Sequence, residues 1–97
     1  MEMKIDAVQE VAYVNAVRRG FWREGYEIRE AIAHLKMEID ELEEAIEGGD
    51  REEITLETGD ILLICMTMLY HRGIRMSDAL VRVINKELLR EGHSDGV

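Results

Sequence analysis

Residues 38–60 read EIDELEEAIEGGDREEITLETGD. Two acidic pairs bracket the stretch, Glu38 with Glu41 and Glu57 with Asp60. Each pair has i, i+3 spacing, which on a helix projects both carboxylates from one side. Between the pairs, Gly48-Gly49 ends one helix and Asp50-Arg51-Glu52-Glu53 opens the next, with Asp50 as N-cap. So short a connection makes the two helices antiparallel neighbours. Glu41 and Glu57 each stand about eight residues from the turn, so at ~1.5 Å rise per residue the two pairs return to a similar height. Four carboxylates then face one another across one groove. In apolar surroundings such groups are costly without compensation, and a cation that prefers oxygen ligands, such as Mg²⁺, supplies it. The alternative is two solvated acidic flanks.

The flanking sequence is helical as well. Upstream of Glu38, Ile28, Ile32, Leu35, Ile39, Leu42 and Ile46 alternate steps of four and three, a coiled-coil-like seam on a helix over 26–47. At about 100° per residue, Glu38 lies about 80° and Glu41 about 140° from the seam centre. Ala31, His34 and Ala45 share that flank, whereas Asp40, Glu43, Glu44 and Glu47 point to solvent. Downstream, a helix over 51–72 carries Ile54, Ile61, Cys65, Met68 and Leu69, with Leu62 and Met66 widening the stripe. Apolar nearly all round from Ile61, it is the central, most buried element. Gly59 inside it admits a neighbouring helix or a ligand at close range. A first helix spans 5–18 and stops at Gly20. Gly20-Phe21-Trp22-Arg23-Glu24-Gly25 then holds the chain's one Phe and one Trp, as a plug over the bundle end or as a stacking surface. A fourth helix begins at Ser77, a good N-cap, and places Asn85, Lys86 and Arg90 beside the stripe of Leu80, Val83, Ile84 and Leu88. Residues 91–97 form a polar tail.

The chain has 97 residues, enough for one domain spanning 1–97, and no proline. With few aromatic residues and abundant Ala, Leu, Ile, Glu and Met, the fold class is all-α. A net charge of -9 argues against nucleic acid and anionic membranes as partners. The longest nearly apolar run, 61–70, is too short to span a bilayer, and the N-terminus has no apolar signal core. A lone cysteine, Cys65, in an apolar run fits a reducing compartment, so the expected setting is cytoplasmic. Di-iron ligation needs Glu-x-x-His pairs and zinc needs a Cys/His cluster, and neither is present. An oxygen-only cluster instead binds Mg²⁺ incompletely, leaving positions for water and substrate phosphate oxygens. Lys86 and Arg90, with Arg23 or Arg29, are the candidate phosphate partners.

An ExxE motif followed after fifteen residues by ExxD resembles the MazG-like members of the all-α nucleoside triphosphate pyrophosphatase superfamily. Gly20-Phe21-Trp22 is similar to the glycine-aromatic-Trp upstream of the motif in small MazG-like proteins. Asn85-Lys86…Arg90 is similar to the family's substrate-contacting C-terminal helix. The resemblance covers about residues 14 to 91. It implies a four-helix bundle completed by dimerisation, as a homodimer or dimer of dimers. It implies hydrolysis of a (d)NTP to the monophosphate and pyrophosphate. Metal (Mg²⁺, with Mn²⁺ as a substitute) would be held by Glu38, Glu41, Glu57 and Asp60, with Glu38 and Glu41 catalytic, and Trp22, Asn85, Lys86 and Arg90 would bind substrate. Many members carry a further Glu directly before the first motif Glu, where this chain has Met37. The runner-up within the superfamily is a phosphoribosyl-ATP pyrophosphatase-like enzyme, suggested by Tyr70-His71. Outside it, the seam and the wide apolar face of the third helix suit a non-catalytic helical dimerisation module.

Overall fold

The structure is a computed structural model that describes residues 4–95, with side chains described through Arg90. Four helices follow in order, α1 (Ile5–Arg18), α2 (Ile28–Gly48), α3 (Arg51–His71) and α4 (Met76–Asp95), and no strand occurs among the described residues. The fold is all-α, as expected. Local chemistry sets the helix ends. Glu27 and Glu30 exchange side-chain-to-backbone contacts in a capping box at the start of α2. Gly49, at φ +76°, ends that helix in the left-handed conformation that glycine adopts without a Cβ penalty. Asp50 Oδ1 accepts from the Glu52 and Glu53 backbone N–H groups at 2.9 and 3.3 Å, capping α3.

α3 packs against all three other helices and is the centre of the fold. It is not covered all round, however. Met66 and Thr67 are its buried residues, while Leu56, Leu62 and Leu63 are exposed. On α2 the expected seam is open too. Ile28, Ile32, Ile39 and Ile46 are exposed, and the buried residues are Ala31, Glu38 and Ala45. These three recur every seven residues, on the flank beside the seam. Two alanines let the α3 backbone come close, and the isoleucine stripe points away from it. A Cβ on Gly59 would meet no atom within 4 Å, so no neighbouring helix in the chain requires that glycine.

α4 differs from its expected form in two respects. It starts at Met76 and continues to Asp95, so the expected tail is helical through that residue, and 96–97 lie outside the described residues. Ser77 is not its own cap. Asp6 of α1 does that work, accepting from the Ser77 N–H at 2.9 Å and from its hydroxyl at 2.6 Å. Beside it, Gln9 is 1% exposed, donates to the Met66 and Ile74 carbonyls and accepts from the Met76 N–H. α4 packs only on α1 and α3, and residues 81–90 are all exposed. The shape is correspondingly open, with a radius of gyration of 16.1 Å, where a compact chain of this length has about 13 Å.

Candidate metal centre

The α2/α3 groove contains the acidic cluster. Glu38, Glu41 and Glu57 each bring a carboxylate oxygen within 4.8 Å of the others. Glu38 is 9% exposed, because it shares the inward flank of α2 with Ala31 and Ala45. Its Oε1 lies 3.2 Å from His34 Nε2, one helical turn earlier. Its Oε2 is buried without a hydrogen-bond partner, and so is Oε2 of Glu57. Among the described residues none of the three carboxylates pairs with lysine or arginine. Burial, then the neighbouring Glu41 and Glu38 carboxylates, push the Glu57 carboxyl up to about 7. A buried carboxylate oxygen without a donor is costly, and three acidic groups this close do not ionise together without help. Hard oxygen donors, converging and under-satisfied, fit an Mg²⁺- or Mn²⁺-sized cation.

Asp60, the fourth expected ligand, is not among these three. It is exposed, one turn further along α3, and lines a cavity of about 650 Å³ together with Glu38. The cavity's other walls are α1 (Val8, Val11, Asn15) and the aromatic loop (Phe21, Trp22, Tyr26), and its size is in the range of small-molecule pockets. Trp22 is 8% exposed. Its indole stacks on His71 at 4.8 Å and meets Tyr26 edge-on at 5.1 Å. Tyr13 fixes His71 from beneath through a 2.9 Å hydrogen bond between its hydroxyl and Nδ1. Trp22 is therefore a plug over the bundle end, with part of its surface on the cavity wall. Its φ of +57° is unusual for so bulky a residue, and Gly20 and Gly25 on either side also have positive φ.

Asn85, Lys86 and Arg90 are exposed on α4 and do not line the cavity, and Arg90 contacts Glu87 at 3.6 Å. A single chain does not bring them to the carboxylates. Arg29 pairs with Glu27, and Arg23 bonds the Val17 carbonyl. The arginines that do line the cavity are Arg18 and Arg19, which in the sequence serve as C-terminal helix charges. His34 is a further residue that the structure sets against the cluster, 3.2 Å from Glu38. Its i, i+4 spacing to Glu38 is the signal that would have found it.

The profile of the MazG nucleotide pyrophosphohydrolase domain matches residues 26–94, which include both acidic pairs and most of α4. No curated protein and no solved structure gave a match. A match over more than half of the chain, on a four-helix fold with Glu38, Glu41 and Glu57 gathered in one groove, places this chain in the MazG nucleotide pyrophosphohydrolase family.

Proposed function

We propose that the chain is an Mg²⁺-dependent nucleotide pyrophosphohydrolase. It would convert a (d)NTP or a related nucleotide to the monophosphate and pyrophosphate. The observation that carries this reading is the trio Glu38, Glu41 and Glu57, with two buried unpartnered oxygens, beside a cavity large enough for a small ligand. Glu38, Glu41 and Glu57 would hold the cation, with Asp60 one turn away as the fourth ligand. The cation would neutralise the polyphosphate and lower the pKa of an attacking water. Water adds at phosphorus and the α–β phosphoanhydride bond breaks, leaving the two products. The carboxylates of Glu38 and Glu41 orient that water and take up its proton. Trp22, Phe21 and Tyr26 offer the base an aromatic wall. Met37, in place of a further motif Glu, is exposed and contributes no oxygen.

The active form in this proposal is a homodimer or a dimer of dimers, in a cytoplasmic setting. No helix among the described residues is long and apolar enough to cross a membrane. The chain exposes 7623 Å², about 1,900 Å² more than the ~5,700 Å² expected of a compact monomer of its mass. That excess is what one protomer contributes to a large obligate interface. The isoleucine stripe of α2 and the face of α4 bearing Val83, Ile84 and Leu88 are the apolar surface to be covered. A second copy seated there would bring its own α4, with Asn85, Lys86 and Arg90, toward the cluster.

The test is Mg²⁺-dependent pyrophosphate release from a panel of nucleoside triphosphates and phosphoribosyl-ATP, with Glu41→Gln and Asp60→Asn as controls. Release that is lost in both, with folding retained, supports the assignment. Equal release in the wild type and both variants would refute it.

A further inference from the structure

We propose that His34 is the positioning residue for Glu38, and that the aromatic loop holds it in place through Phe21. The inference rests on the metal reading of the acidic cluster. His34 Nε2 lies 3.2 Å from Glu38 Oε1, and the other Glu38 oxygen is buried without a hydrogen-bond partner. With its Nε2–H donating, His34 engages Oε1 and leaves Oε2 as the free donor atom. The carboxylate is thereby fixed about its last torsion, which otherwise rotates broadly. Without that donor, Glu38 has two equivalent oxygens beside the carboxylates of Glu41 and Glu57, and repulsion turns it away from them.

The imidazole is itself held. Phe21 lies flat against it, with ring centroids 5.6 Å apart and planes 8° from parallel. Phe21 is in turn fixed by its backbone N–H, which donates to the Ala16 carbonyl at 3.0 Å, and by Tyr26, whose ring meets it edge-on at 5.7 Å. Gly20 at φ +104° turns the chain immediately before it. The loop after α1 is thus linked to the acidic cluster by the stacking of Phe21 on His34 and by the 3.2 Å approach of His34 Nε2 to Glu38 Oε1. Outer-shell partners of this kind are worth about 10–100-fold in metal affinity.

The test is calorimetric titration of Mn²⁺ alone into the EDTA-stripped full-length chain at one fixed pH, with the melting temperature of each stripped protein recorded. His34→Ala should bind Mn²⁺ about 10–100-fold more weakly, with its metal-free melting temperature close to that of the wild type. His34→Gln, which keeps a side-chain N–H donor, should recover most of the affinity. Phe21→Leu should weaken binding by a smaller factor than His34→Ala. Equal affinity in the wild type and His34→Ala overturns the inference, and so does a Gln variant as weak as the Ala variant. A wild type that takes up no Mn²⁺ overturns the metal reading itself, a different result from a wild type that binds and a His34→Ala variant that binds equally.

Discussion

Two buried polar clusters lie at different places along α3, and they are built on opposite principles. At the α1/α4 junction Gln9 spends both amide protons on the Met66 and Ile74 carbonyls and its oxygen on the Met76 N–H. Asp6 next to it accepts from both the backbone and the hydroxyl of Ser77. In the α2/α3 groove Glu38 and Glu57 each keep a buried oxygen with no partner. A satisfied network holds helices together, and an unsatisfied one costs stability until something binds. The first cluster is therefore structural. The second, in the proposed reading, is a metal site whose cost the bound cation would offset.

The largest effect should come from breaking the satisfied cluster. Gln9→Leu removes three interior hydrogen bonds, two to carbonyls and one from an N–H, and should cost about 3 kcal/mol. That is a fall in melting temperature of roughly 12–24 °C for a domain of this size, measured by circular dichroism, with Mn²⁺ affinity of the remaining folded protein unchanged. If the unfolding temperature hardly moves, the junction is not what fixes α4.

The groove should respond in the opposite sense. Mg²⁺ at about 100 times its Kd should stabilise the wild type by about 2.7 kcal/mol, and Glu41→Gln should lose most of that shift. In the pyrophosphate assay Glu41→Gln should lower turnover by at least about 100-fold, equivalent to about 2.7 kcal/mol of barrier. A variant that keeps both the metal response and the turnover separates Glu41 from the site.

A pH series sharpens the contrast further. Glu57 is raised from 4.5 to about 7 in the folded chain, chiefly by burial and then by Glu41 and Glu38. A raised carboxyl contributes stability that is fully present below the unfolded value and is lost as pH rises through the folded one. Metal-free wild type should therefore lose melting temperature between about pH 4.5 and pH 7 relative to Glu57→Gln, and metal affinity should rise across the same interval. Parallel melting curves for the two proteins over that range would count against the crowding of the three carboxylates.

The smallest effect belongs to Asp6, whose carboxyl is held below its usual range by the Ser77 hydroxyl and N–H. Its contribution is present above the ordinary aspartate pKa and fades as pH falls through the lowered folded value. Asp6→Ala should loosen the first turn of α4, seen as faster amide exchange over 76–79, with a smaller drop in melting temperature than Gln9→Leu. Unchanged exchange there would mean that Gln9 alone anchors the helix.

How much of this was legible in the sequence depended on the range of the interaction. Capping by Asp50, the stop at Gly49 and the span of α1 act between neighbours in the chain, and they read correctly. So did the return of Glu41 and Glu57 to one height, because a short turn and a fixed helical rise leave little choice. The isoleucine seam of α2 was legible as an apolar stripe, but a stripe says that something covers it and not what.

The sequence by itself determined four helices, the antiparallel pairing of α2 with α3 and the acidic character of their groove, since period, caps and loop length are local. Only the tertiary structure decided which face of α2 turns inward, because Ala31 and Ala45 permit an approach of α3 that the isoleucines do not. It also left Asp60 outside the trio, gave the cap of Ser77 to Asp6 and placed His34, backed by Phe21, against Glu38. Each of those contacts joins side chains whose meeting depends on how whole helices are rotated against one another, a quantity set by the packing of every residue on both faces.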